Sequence, residues 1–156
     1  LVPPSLKEKL VIASESSILC PSNFTQLTIS SYLADQPWRD QIASFCELYK
    51  TRRDAMLESL DEHFPATAQW TKPGGGFYVW VTLPPEIDTT AMMPKAIVAK
   101  VAYVPGTAFY ADGFGSWSLR LSYCYPTPER IREGVKALGG VIKQEMASRK
   151  GFELKG

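Results

Sequence analysis

Arg120 is the side chain best placed by its neighbours to do chemistry. It stands in the run Ser118-Leu119-Arg120-Leu121-Ser122, where apolar residues alternate with small hydroxyls. In a strand, successive side chains point to opposite faces. Trp117, Leu119, Leu121 and Tyr123 would then face a core, with Ser118, Arg120 and Ser122 on the other side. A guanidinium there suits an anion, because its planar fork matches a carboxylate with two parallel hydrogen bonds. On spacing alone the commoner role is a solvated arginine on an edge strand, held in a surface ion pair. Pro73-Gly74-Gly75-Gly76-Phe77 is the second feature. Its glycines predict positive φ or close approach of another group. Local evidence favours a plain tight connection into a strand. It is not a phosphate loop, because no Gly-Lys-Ser/Thr follows. Val104-Pro105-Gly106-Thr107-Ala108-Phe109 is a third turn-forming piece. His63 reads as a surface or capping residue near a helix end. No serine, cysteine or carboxylate pair stands in a nucleophilic or acid–base setting.

The elements around these residues follow from periodicity and punctuation. A short helix is expected over residues 3–16, with Pro3-Pro4 at its start. After the Cys20-Pro21 turn, Ser22 or Asn23 caps a second helix through Leu33. Pro37 opens a long helix to His63, with Trp38, Ile42, Phe45, Tyr49, Met56 and Leu60 on one stripe. Phe77, Val79, Val81 and Leu83 alternate with Tyr78, Trp80 and Thr82 as a strand. A helix over 90–100, a short strand over 101–104 and the strand over 117–123 come next. Thr127 and Pro128 then open a last helix whose face is Ile131, Val135, Leu138, Ile142 and Met146. The expected class is α+β, a small, mainly antiparallel sheet with helices packed on one face.

Composition narrows the function classes. The 156 residues carry 17 Lys plus Arg against 16 Asp plus Glu. That balance gives no electrostatic reason to expect nucleic acid. No stretch has the length and apolarity of a membrane helix, and no secretory signal is visible. Cys20, Cys46 and Cys124 are odd in number and far apart, and His63 is the one histidine. No metal site or disulfide framework is expected, and the thiols read as reduced and buried in a cytoplasmic protein. The opening Leu1-Val2-Pro3-Pro4, without an initiator Met, reads as the start of a fragment.

Four segments in order are more specific than any alone. They are Lys72-Pro73-Gly74-Gly75-Gly76-Phe77-Tyr78-Val79-Trp80, Tyr103 to Phe109, Ser118 to Tyr123, and Pro128-Glu129-Arg130-Ile131-Arg132-Glu133-Gly134. This series resembles the C-terminal small domain of fold-type I, class I/II pyridoxal-phosphate (PLP) aminotransferases. It is nearest the branch of aromatic and 2-aminoadipate aminotransferases and MocR-like regulators.

The resemblance implies an activity for the intact protein. An amino group would pass from an amino acid, aromatic or otherwise bulky, to a 2-oxo acid such as 2-oxoglutarate. PLP would be held mainly by a large domain as a Schiff base with a lysine. Residues 1–36 would be a remnant linking from that domain, and residues 37–156 the small domain. Arg120 matches the family arginine that clamps the substrate α-carboxylate. Ser22 and Asn23 resemble a segment that reaches the active site across the interface of a homodimer. Gly75 and Gly76 would serve structure. No lysine here has the Ser-x-x-Lys setting of the Schiff-base lysine, so the chain alone is expected to be inactive. The alternative implied by the same branch is the effector domain of a MocR/GntR-type transcriptional regulator. The blandest reading is a ligand-free α+β interaction domain.

Overall fold

The computed structural model describes residues 2–153. The chain divides into two compact units, Leu1–Ala43 and Ser44–Gly156. The first carries α1 (Pro4–Ile18), α2 (Asn23–Asp35) and the beginning of α3 (Trp38–His63). Pro4 occupies the first turn of α1, where its missing N–H costs nothing. Ser22 caps α2, its Oγ accepting from the Thr25 amide at 3.4 Å. Gln36 is extended, as a residue before proline must be, and that ends α2.

The second unit holds the sheet. Its strands are β1 (Gln69–Trp70), β2 (Tyr78–Thr82), β3 (Val104–Pro105) and β4 (Ser118–Ser122), ordered β1-β2-β4-β3 with every pair antiparallel. Val79, Val81, Leu119, Leu121 and Tyr123 are buried with Met56 and Leu60 of α3. Met92 and Ala96 of α4 (Thr89–Val98) and Ile131, Val135, Leu138 and Ile142 of α5 (Pro128–Glu153) complete this core. The α+β class with a small antiparallel sheet is therefore as expected. Helices α3 and α5 pass closely: a Cβ on Gly139 would fall 2.6 Å from the His63 carbonyl oxygen.

Capping sets the helix ends. Asp88 accepts from the amides of Thr90 and Ala91 at 2.8 and 3.0 Å, starting α4. Its C-terminus is a Schellman turn: the Val101 amide donates to Ala96 O and that of Lys100 to Ile97 O. Lys100 is left-handed there, with φ 62°. This turn takes up Val101, so the strand expected over 101–104 shrinks to Val104–Pro105. Thr127 Oγ1 accepts from the Arg130 amide, and Pro128 opens α5.

Several expectations need correction. Cys20 and Cys46 are exposed and Cys124 is half-buried, so the thiols are not core residues. Ile42 and Phe45 are exposed although they continue the stripe of Met56 and Leu60. Phe77 is exposed too, because it precedes the ladder and meets Tyr49 edge-on at 4.9 Å. Ser118, expected on the open face, is buried. Gly106 packs against it, since a Cβ there would fall 2.9 Å from Ser118 Cβ, while the Thr89 hydroxyl donates to the carbonyl oxygens of Ser116 and Ser118 and seats the start of α4 on β4. The hydroxyl of buried Tyr103 donates to the Thr89 carbonyl, and burial pushes that phenol well above its ordinary pKa. The tiny β1 and the 3-10 turn Gly106–Phe109 had no counterpart in the periodicity.

Candidate functional site

The sheet's second face carries the candidate residue Arg120. β4 is an interior strand, and Arg120 pairs with Trp80 of β2 on one side and Val104 of β3 on the other. That removes the edge-strand explanation for this arginine. No carboxylate forms an ion pair with it among the described residues. Its Nε is buried and has no hydrogen-bond partner. The guanidinium carbon lies 3.9 Å from the centroid of the Tyr78 ring and 4.7 Å from that of Phe109. Trp80 meets Phe109 edge-on at 5.3 Å and Tyr110 at 6.4 Å. The side chain is half-buried rather than in open solvent.

A positive charge with no counter-ion among the described residues, lying over two ring faces that use none of its hydrogen bonds, is a candidate anion site. Two glycines place one of those rings. A Cβ on Gly106 would fall 2.3 Å from Gly115 O and 2.9 Å from Ser118 Cβ. Only glycine lets the 3-10 turn settle against β4, and that turn carries Phe109. Gly115, with φ 81°, makes the return. The alternation of residues 77–83 already put Tyr78 and Trp80 opposite the core face. Nothing in the sequence pattern pointed to Phe109.

The glycine run has a different part. Arg53 Nη1 donates to the carbonyl oxygens of Pro73 and Gly74, and the Tyr123 hydroxyl donates to that of Gly75. Burial raises the Tyr123 pKa, with Arg53 acting the other way. The Arg53 hydrogen bond holds the neighbouring Asp54 carboxyl below its ordinary range. Only Gly76 needs positive φ, at 84°, and nothing lies within 4 Å of a Cβ on Gly74, Gly75 or Gly76. The run is a tied connection into β2.

Asn23 opens α2 in the first unit and is exposed. His63 is half-buried at the end of α3, its Nε2 3.8 Å from a Glu62 oxygen. A groove of about 950 Å³ in the second unit, lined by Lys100, Leu121, Ser122, Tyr125 and Arg130 among others, does not include Arg120. Arg130 on its rim is bound to Glu133.

PLP requires a lysine amine in a protected site, together with groups for its ring and phosphate. Every lysine from Lys7 to Lys143 is exposed, and none stands beside Arg120 in the ladder. These lysines do not by themselves supply the protected amine of a PLP site. No group of three or more His, Cys, Asp or Glu placed to hold a metal occurs among the described residues. No described helix is long and apolar enough to cross a membrane.

The chain is similar to known proteins over most of its length. The chain is 45% identical over 143 residues to aromatic-amino-acid aminotransferase 1 of Thermococcus litoralis, covering 92% of this chain and 34% of that protein. The structure superimposes with a TM-score of 0.84 on a multiple substrate aminotransferase from Thermococcus profundus, at 44% identity, covering 93% of this chain and 36% of that one. An α-aminoadipate aminotransferase from Thermus thermophilus, solved with N-(5'-phosphopyridoxyl)-L-leucine, gives a TM-score of 0.79 at 32% identity over 94% of this chain and 38% of its own. An HTH-type transcriptional regulator of Bacillus subtilis is 30% identical over 82% of this chain and 26% of its own length. The chain spans 34–40% of the length of the first curated relatives it matches. The family model for aminotransferase class I and II matches residues 1–138. That span takes in the glycine run, the 3-10 turn and the Arg120 strand together, and the chain belongs to the class I and II aminotransferases.

Proposed function

We propose that this chain is the C-terminal, substrate-clamping small domain of a PLP-dependent aminotransferase. The intact protein would transfer the amino group of an aromatic or otherwise bulky amino acid to a 2-oxo acid. Residues 37–156 form the clamp, and residues 1–36 link it to a large domain that holds most of the cofactor. The intact protein acts as a homodimer in the cytoplasm, with Asn23 reaching the site of the partner subunit. The observation that carries this reading is Arg120: an interior-strand guanidinium with no carboxylate partner among the described residues and a buried, unpartnered Nε. Relatives whose names state aromatic and aminoadipate substrates support the choice of amino acids, and the phosphopyridoxyl complex supports the cofactor.

Arg120 contributes by binding and orientation. Two parallel N–H···O bonds to the α-carboxylate fix two points of the substrate and so limit its rotation about the reacting carbon. The amino acid and the 2-oxo acid share that carboxylate, so one residue serves both half-reactions. The test is Arg120→Ala in the intact protein, followed by absorbance and by steady-state kinetics. Retained cofactor colour with a large loss of kcat/KM for both substrates is expected. Unchanged turnover would remove Arg120 from the site.

The match to the HTH-type regulator favours a second reading, in which the same domain senses an amino acid beside a DNA-binding domain. A winged helix preceding this region in the intact protein, with amino-acid-dependent DNA binding and no transaminase turnover, would establish it instead.

A further inference from the structure

Arg120 is held in a way that leaves its terminal nitrogens free. Arginines in proteins are usually fixed by carboxylates or carbonyl oxygens, which occupy the same N–H groups an incoming anion needs. Here no acceptor reaches Nε, and no acid forms an ion pair with the side chain among the described residues. What touches the guanidinium is two ring faces, Tyr78 at 3.9 Å and Phe109 at 4.7 Å from its central carbon. A ring face attracts a cation through its quadrupole and uses none of its hydrogen bonds. The two rings come from different elements. Tyr78 faces Ser122 across the ladder, one diagonal step from Arg120 on the same face of the sheet. Phe109 ends the 3-10 turn seated by Gly106 and is braced edge-on by Trp80 at 5.3 Å.

We propose that Tyr78 and Phe109 are positioning residues that fix the plane of the Arg120 guanidinium through their ring faces, so that both terminal N–H groups stay aligned for a bidentate carboxylate. This rests on the reading of Arg120 as the carboxylate grip. The substrate is predicted to meet the cation's edge while the rings keep its faces dry. A side chain of similar bulk without a π-face cannot substitute.

The test compares Phe109→Leu with Phe109→Tyr, and Tyr78→Leu with Tyr78→Phe, in the intact protein. KM and kcat are measured for the amino acid and for the 2-oxo acid, with melting temperatures as the folding check. The leucine variants are expected to raise KM for both substrates by the same factor, roughly 3- to 30-fold, with kcat little changed. The aromatic variants should keep wild-type values. The Tyr78 pair carries the same comparison if Phe109→Leu does not fold. Wild-type KM in both leucine variants, or equal losses in leucine and aromatic variants, would overturn the positioning role. Arg120→Ala, run alongside, separates the two ideas. If it too has no effect, the carboxylate grip itself fails; if it alone has an effect, the grip stands and the rings are not its frame.

Discussion

Replacing Arg120 by lysine tests more than the presence of a positive charge. Lysine keeps the charge but is a point donor on a flexible stem, without a planar fork and without a flat face to lie on Tyr78 and Phe109. In the native protein two charge-assisted hydrogen bonds would meet the α-carboxylate, each contributing about 1.5–3 kcal/mol. Lysine can recover one of them. The expected loss is therefore about 2 kcal/mol, roughly a 30-fold fall in kcat/KM at 1.4 kcal/mol per factor of ten. Arg120→Ala loses both, about 3–6 kcal/mol, or roughly 10²- to 10⁴-fold. The assay is steady-state kinetics of the intact protein with the amino acid and the 2-oxo acid varied in turn. The graded order arginine, lysine, alanine should appear for both substrates. A lysine variant equal to wild type would refute the fork argument, since a diffuse positive charge would then suffice.

Other outcomes follow from the packing. Gly106→Ala drives a Cβ to within 2.3 Å of the Gly115 carbonyl oxygen. It should cost about 1–3 kcal/mol in urea unfolding and raise KM as Phe109 is displaced. Gly139→Ala meets the His63 backbone at 2.6 Å and should destabilise by a similar amount, about 1–3 kcal/mol, with kcat/KM little changed. Lys100→Gly relieves a left-handed residue at the end of α4 and should raise stability by up to about 1 kcal/mol in thermal melts. The Glu145 carboxyl is held below its ordinary pKa, first by its hydrogen bond to Lys95 and also by Arg149. A depressed folded-state pKa adds stability above the unfolded value and loses it as pH falls through the folded one. Glu145→Gln should therefore flatten the acid limb of the stability–pH curve, and an unchanged limb would argue against that bond.

Local chemistry made most of the elements legible. Ser22, Thr127 and the prolines at residues 4, 37 and 128 mark helix ends because capping and the missing proline N–H act within one turn. The alternation over 77–83 and 117–123 found β2 and β4 because a pleated strand with one buried face must repeat every two residues. Arg120 was legible as a candidate for the same reason, its charge falling on the face opposite Leu119 and Leu121. Local pattern failed where long-range contacts decide. Ser118 obeys the alternation but is buried, because the backbone at Gly106, outside its own strand, packs against it. The strand expected over 101–104 gave way to the helix end at Lys100, where lysine stands in a position usually taken by glycine.

What the sequence alone determined is thus the run of elements, the α+β class and the identity of Arg120 as a cation on the sheet's open face. Only the tertiary structure decided what surrounds that cation. Strand order places β4 between β2 and β3, which turns a solvated edge arginine into an interior one. Close approach at Gly106 brings Phe109 onto the guanidinium. Neither is written in local spacing, because strand neighbours and ring contacts are set by residues far apart in the chain.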